Sequence, residues 1–400
     1  MFWKRRILVG LVLVMALVLG EVVVAGELSR LGRSTARLPA DPVVLKSPAP
    51  PSTPSRSQDL AALNADIGSV LVASQAGTTM SPSLVSLLGA GRVGGVLLFA
   101  SNFNSLAALK AWSDHLQALA SSACLDHPIL LMLDEEGGRV NRVQAPFAPP
   151  SQLSAGLRGP NYVRTLERGS AIGLRQLGVG LNLAPVADVR TNPNDLVIGD
   201  RSFGSNPATV APLVAAAVKG LHDGGVGATL KHFPGLGGAA GDPHVAIPTD
   251  TETAAQWARV QMPAFKAGIA AGADAVMTTA VYVPGLGAGS TPAMFSAQVV
   301  GRLRTQLGFR GVIISDSVSM GGISSHYSLP EATIRALAAG NDLILLGNSD
   351  PNYERSVIAA VRAAVLSGRL SRTKLHESAM RVNLMRDRWA QPFIHCRVRV

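Results

Sequence analysis

Aromatic residues are scarce in this chain: Phe, Trp and Tyr together make up 4% of its 400 residues, while 47% are hydrophobic. A large core is therefore possible, but it must be built mainly from Ala, Val, Leu and Ile. Such residues suit the layered interior of a parallel barrel. Charge is also sparse, at 16% of residues. The net charge of +10 is scattered apart from Lys4-Arg5-Arg6 and the tail residues Arg397 and Arg399. A nucleic-acid binder would gather its basic residues in stripes interleaved with aromatics, so none is expected as a partner. The two cysteines, Cys124 and Cys396, exclude a disulfide scaffold and a CxxC metal site. A single bridge in an oxidising compartment and a pair of free thiols both remain open. No Gly-x-Ser-x-Gly elbow is present, so a serine-nucleophile hydrolase has no motif behind it. No HExxH or HxxxH spacing supports a metal site at His232, Asp242 and His244.

What is present begins with a targeting pattern. A basic start is followed by an apolar run from Ile7 to Leu19, interrupted at Glu21. Residues 1–26 read as a signal peptide or membrane anchor, so export to the cell envelope or beyond is expected. Any membrane contact would run through this segment. Residues 27–57 hold six prolines, at 39, 42, 48, 50, 51 and 54, among Ser, Thr and Arg. That composition reads as an extended linker.

From residue 58 to about 390, short apolar runs alternate with longer segments of helical period. The predicted strands are Ser69–Ala73, Val93–Phe99, Ile129–Leu133, Leu181–Val186, Ala228–His232, Ala275–Thr279, Val312–Ser315 and Leu343–Leu346. Helices are predicted over Leu106–Ala120, Pro207–Gly220, Ala254–Ala271, Pro330–Ala339 and Arg372–Trp389. Eight such repeats predict an α/β fold, a single (β/α)8 TIM-type barrel. A basic tail, 391–400, follows.

Polar residues with chemical potential gather where these strands end: Asp134, Glu135 and Glu136, then Asp188, then Lys231 and His232, then Asp316. In such barrels that rim forms the active site. The loop after the fifth strand is rich in glycine, at 235, 237, 238 and 241, which predicts mobility. It ends in Asp242-Pro243-His244. Proline pushes Asp242 toward extended geometry, and residues i and i+2 of extended chain share a face. A carboxylate–imidazole dyad is therefore expected there. The Gly235-x-Gly237-x-x-Ala240 pattern imitates a dinucleotide fingerprint, but Pro234 and Pro243 spoil the helix that should follow.

Several segments together resemble glycoside hydrolase family 3, most closely its single-domain bacterial β-N-acetylglucosaminidases. They are Gly91–Ala100, Asp134-Glu-Glu-Gly-Gly-Arg-Val-Asn-Arg142, Asn182–Asp188, Val197–Gly204, Lys231-His-Phe-Pro-Gly235, Asp242-Pro-His244, Ile314-Ser-Asp-Ser-Val-Ser-Met320 and Ala339–Leu343. The resemblance implies Asp316 as nucleophile, His244 as general acid/base and Asp242 as its partner. It also implies that Asp134, Arg142, Arg201, Lys231 and His232 grip the sugar. The implied activity is retaining, exo-acting hydrolysis of terminal β-linked N-acetylglucosamine, a chemistry that requires no metal or organic cofactor; given export, peptidoglycan fragments are the expected substrates. Alternatives are a phosphorylase acting on the same sugar, a β-glucosidase, and a silent wall-binding barrel.

The chain departs from the common family pattern at four places. Leu236 stands where a second histidine is usual, Thr279-Ala280 for Ala-His, Glu135 for Gln, and Pro243 for Ser.

Overall fold

The computed structural model describes residues 56–347 and 351–394. The signal or anchor segment, the linker up to residue 55, Cys396 and the tail arginines lie outside the described residues.

Eight parallel strands run in the order β7-β6-β5-β4-β3-β2-β1-β8. They are β1 Leu71–Ala73, β2 Gly95–Leu97, β3 Leu130–Leu133, β4 Leu181–Asn182, β5 Gly227–Phe233, β6 Ala275–Thr278, β7 Val312–Ser315 and β8 Ile344–Leu345. A parallel bridge between Ile314 and Leu343 brings β8 against β7 and rounds the sheet on itself. At least one helix follows each strand. The helices start where the sequence offers caps. Ser105 accepts from the Ala108 amide ahead of Leu106–Ser122. Thr253 and Gln256 form a capping box ahead of Ala254–Val260.

Side-chain alternation along the strands produces two cores. Val72, Leu97, Leu130, Met132, Leu181, Leu183, Ala275, Met277, Val312, Ile314, Leu343 and Leu345 fill the barrel interior. The intervening residues, such as Leu71, Leu131, Leu133 and Ile313, join the larger layer between strands and helices. The last helix, Arg372–Trp389, turns Val382, Met385 and Trp389 into the interior cluster. It plugs one end of the barrel, so the opposite end is left for a site.

Two predicted elements differ. The fourth strand stops at Asn182 and resumes only as a bridge from Val186 to Lys231. Pro185 has no N–H to give to a ladder. The helix expected over Ala254–Ala271 is two, Ala254–Val260 and Met262–Ala270. Pro263 lacks the N–H that would continue the first into the second.

Candidate active site

Asp316 follows β7 directly. Its amide donates to the Thr278 carbonyl at 2.7 Å, which fixes the backbone against β6. Its carboxylate is held from both sides. Oδ1 accepts from the Ser317 amide at 2.8 Å, and Oδ2 accepts from the Thr279 hydroxyl at 2.8 Å. The Asp316 side chain lines the cavity described below.

Beside it stands a charged network. Lys231 and His232, consecutive at the end of β5, both reach the cavity. The Lys231 ammonium lies 2.6 Å from Asp134 and 2.5 Å from Glu136. Arg201 grips Glu136 with two bonds, at 2.7 and 2.8 Å. The same guanidinium donates to His232 Nε2 at 3.2 Å, so the proton of that ring sits on Nδ1. His232 Nδ1 donates it to Asp188 Oδ2 at 2.7 Å. Asp188 is fully buried and also accepts from the amides of His232 and Leu236, which pins the end of β5. Burial pushes Glu136 up, but Lys231 and Arg201 overcome it and hold this carboxyl well below the usual range. Glu136 is therefore an anion at any working pH. Arg142 completes the rim, 3.9 Å from Asp134, with a buried Nε that has no hydrogen-bond partner among the described residues.

Glu135 faces the other way. Its Oε2 accepts from the amides of Arg142 and Val143 at 2.8 and 3.0 Å, while Oε1 is buried without a partner. Burial pushes this group up to about 7, against the pull of the Val143 and Arg142 bonds. Glu167, on the helix Pro160–Gln176, is pushed up to about 8 by burial and by the Glu135 charge.

Asp242 and His244 form the expected dyad, with His244 Nδ1 2.8 Å from Asp242 Oδ1. The local geometry is a turn rather than an extended run. Asp242 Oδ1 also accepts from the His244 amide, and the Val245 and Ala246 amides close onto the Asp242 carbonyl. An aspartate side chain competes well for such amides, and this overrides the extended bias before proline. Burial raises Asp242, but its bonds from His244 outweigh this and lower it. With Nδ1 engaged, Nε2 is the nitrogen free to exchange a proton. The glycines nearer β5 permit close packing: a side chain on Gly237 would meet the Val189 carbonyl at 2.3 Å.

These groups line one cavity of about 200 Å³. Asp134, Arg142, Arg201, Lys231, His232, His244 and Asp316 all face it, and Asp242 acts on it through His244. Its floor is the top layer of the barrel interior, Leu97, Leu183, Met277 and Leu345. A roomier cleft of about 380 Å³ lies beside Asp66, His127 and Arg386, before the strands begin. Asp66 there is tied to Arg372 and His376, and Arg386 to backbone carbonyls, so its polar groups are committed to structure.

Residues 62–385 match the family described as glycosyl hydrolase family 3 N terminal domain. The chain belongs to glycosyl hydrolase family 3. A β-hexosaminidase of Xylella fastidiosa strain M23 is 36% identical over 319 residues, covering 76% of this chain and 89% of that protein. The match to β-hexosaminidase A of Pseudoalteromonas piscicida, 31% identical, spans 78% of this chain and 56% of that longer protein. Among solved structures, the family 3 β-N-acetylglucosaminidase of Paenibacillus sp. FPU-7 superposes with a TM-score of 0.78 at 32% identity. That superposition covers 84% of this chain and 65% of the other. The β-N-acetylhexosaminidase of Beutenbergia cavernae superposes at 0.74 with 30% identity, covering 80% and 97%.

Within this family 3 barrel, three features escaped the sequence reading. Glu136 is the hub of the charged network, though its position one residue after Glu135 offered no way to tell the two apart. Thr279 holds the Asp316 carboxylate from a position where the common pattern has alanine. The apolar floor comes from alternate strand residues that read as ordinary core.

Proposed function

We propose that the protein is a retaining exo-β-N-acetylglucosaminidase with Asp316 as nucleophile and His244 as acid/base. One observation carries the reading: a carboxylate held from both sides and a carboxylate-oriented imidazole face the same small cavity. In the first step Asp316 attacks the anomeric carbon as the glycosidic C–O bond breaks, and His244 Nε2 donates its proton to the departing oxygen. In the second, the neutral imidazole takes a proton from water. The hydroxide equivalent attacks the anomeric carbon and releases Asp316. Asp134, Arg142, Arg201, Lys231 and His232 serve as the grip on hydroxyls and the N-acetyl group. The unpartnered Arg142 Nε suits a sugar oxygen. A cavity of about 200 Å³ suits a single terminal sugar better than a threaded chain, which supports exo action. The printed names of the relatives support N-acetylhexosaminides as the substrate class. Peptidoglycan fragments as natural substrates, and export to reach them, rest on the N-terminal targeting pattern.

The test is release of nitrophenol from 4-nitrophenyl β-N-acetylglucosaminide, beside the β-glucoside and beside the Asp316→Ala variant. Turnover of the first substrate alone, abolished in the variant, is expected. Preference for the glucoside would reassign the sugar, and an active Asp316→Ala would remove the nucleophile. Running the parent in phosphate and finding sugar 1-phosphate instead of free sugar would make it a phosphorylase.

A further inference from the structure

The turn that carries His244 is anchored by few side chains. The His244 side chain is 69% exposed and Val245 is 77% exposed, while Pro243 between Asp242 and His244 is buried and lines the cavity. Bridges from Ala240 to Thr249 and from Thr249 to Tyr282 tie only its base. Inside, the turn is rigid, because the Asp242 carbonyl and carboxylate take up the amides of residues 244–246. It therefore moves as one piece, and what holds that piece sets where the imidazole stands.

The contact is backbone on backbone. The Gly322 amide donates to the Pro243 carbonyl at 3.2 Å. A Cβ on Gly321 would lie 2.2 Å from the His244 carbonyl oxygen. One on Gly322 would lie 2.7 Å from the Pro243 oxygen and 3.0 Å from backbone atoms of Ala246 and Ile247. Real side chains do not tolerate such separations from main chain, so any residue larger than glycine must lift the turn. Neither glycine adopts a left-handed conformation, so the backbone itself does not demand glycine here. Both open the short helix Gly321–Ser324, directly after the Asp316–Met320 segment.

We propose that Gly321 and Gly322 are positioning residues that seat the His244 turn on the nucleophile's own segment, so that acid/base and nucleophile share one frame. The proposal rests on the acid/base reading above. It makes the absence of two side chains a requirement of proton donation, not of folding or of nucleophilic attack.

Gly321→Ala and Gly322→Ala, made separately in the full chain, test this against two substrates. One is 4-nitrophenyl β-N-acetylglucosaminide, whose leaving group departs without a proton. The other is N,N′-diacetylchitobiose, whose leaving group needs one. The kcat/KM for chitobiose is expected to fall toward that of His244→Ala, a loss on the order of 10²-fold or more. The kcat/KM for the nitrophenyl glycoside stays within a few-fold, because it reports the first step alone, whereas kcat also contains the shared water-activation step that uses His244. Melting temperatures stay close to the parent's, since the displaced turn is exposed at its tip and the barrel core is untouched. Adding Gly321→Ala to His244→Ala costs nothing further, because the seat acts through that histidine. Parental chitobiose turnover by both glycine variants would overturn the seat alone. So would equal losses of kcat/KM on both substrates, or a fall in melting temperature that tracks the loss. A His244→Ala variant with no split between the substrates overturns the acid/base reading and the seat with it.

Discussion

At the scale of single residues, the surroundings of Asp316, the proposed nucleophile, bear most directly on the chemistry. The Thr279 hydroxyl reaches Asp316 Oδ2 at 2.8 Å and is itself buried. A hydrogen bond to a charged acceptor contributes about 1.5–3 kcal/mol, and it also fixes which lone pair faces the sugar. Thr279→Val keeps the shape and removes the donor. It should lower kcat about ten-fold or more with little change in KM, and Thr279→Ser should restore most of it. Steady-state kinetics on the nitrophenyl glycoside would show this, and parental kcat in Thr279→Val would deny the hydroxyl any role. His244 invites the complementary measurement. His244→Ala should lower kcat/KM for sugar aglycones by about 10²–10⁴-fold and for aryl glycosides much less.

At the scale of elements, the rim that carries chemistry and the end that carries stability are separate. The helix Arg372–Trp389 closes the barrel with Trp389, whose indole donates to Asp274 at 2.7 Å and stacks on His222 at 5.1 Å between centroids. Truncating a buried tryptophan costs about 3–5 kcal/mol. Trp389→Ala should therefore shift the denaturation midpoint strongly in urea. The folded fraction should keep its parental kcat, because the cavity lies at the other end. A specific loss of kcat without loss of stability would contradict this division. Gln261 shows the same economy near the rim. Its side chain accepts from the Val189 amide at 2.9 Å and donates to the Val189 carbonyl at 3.1 Å. The break in the helix around it is thus also the brace of the loop after β4.

At the scale of the whole molecule, two buried carboxyls couple stability to pH. Glu135 and Glu167 are raised to about 7 and about 8, above the ordinary value near 4.5. A folded state that holds a proton the unfolded chain has lost is favoured by acid. The stability these groups contribute is complete below about pH 4.5. It declines by about 1.4 kcal/mol per pH unit for each group from about pH 4.5 up to the folded value, and levels off above it. Glu167→Gln should match the parent near pH 4.5 and gain on it steadily toward pH 8, as chemical denaturation at several pH values would read. Parallel stability curves would mean that Glu167 is ionised in the folded protein. Glu135 is one of the departures visible in the sequence, but its burial, its bonds to the Arg142 and Val143 amides and its nearness to Glu167 were not.

The sequence by itself determined the repeat. Apolar runs alternating with helical segments are local patterns, and they located all eight strands to within a few residues. It also located the residues at the strand ends, because a barrel delivers those to one rim whatever else happens. The strand and helix breaks at Pro185 and Pro263 were legible in principle, since a missing N–H is a local property. What only the tertiary structure decided is which of the rim residues meet. Glu135 and Glu136 are adjacent in sequence, yet one ends buried against Arg142 and Val143 amides while the other is gripped by Lys231 and Arg201. Neighbouring residues leave a chain on different sides: the partners of Glu135 lie 7 and 8 residues on, while Glu136 is met by Arg201 from 65 residues away and by Lys231 from β5. The seat of the His244 turn on Gly321 and Gly322 is of the same kind. It is a contact made by atoms common to every residue, and its only trace in the sequence is two side chains that are absent.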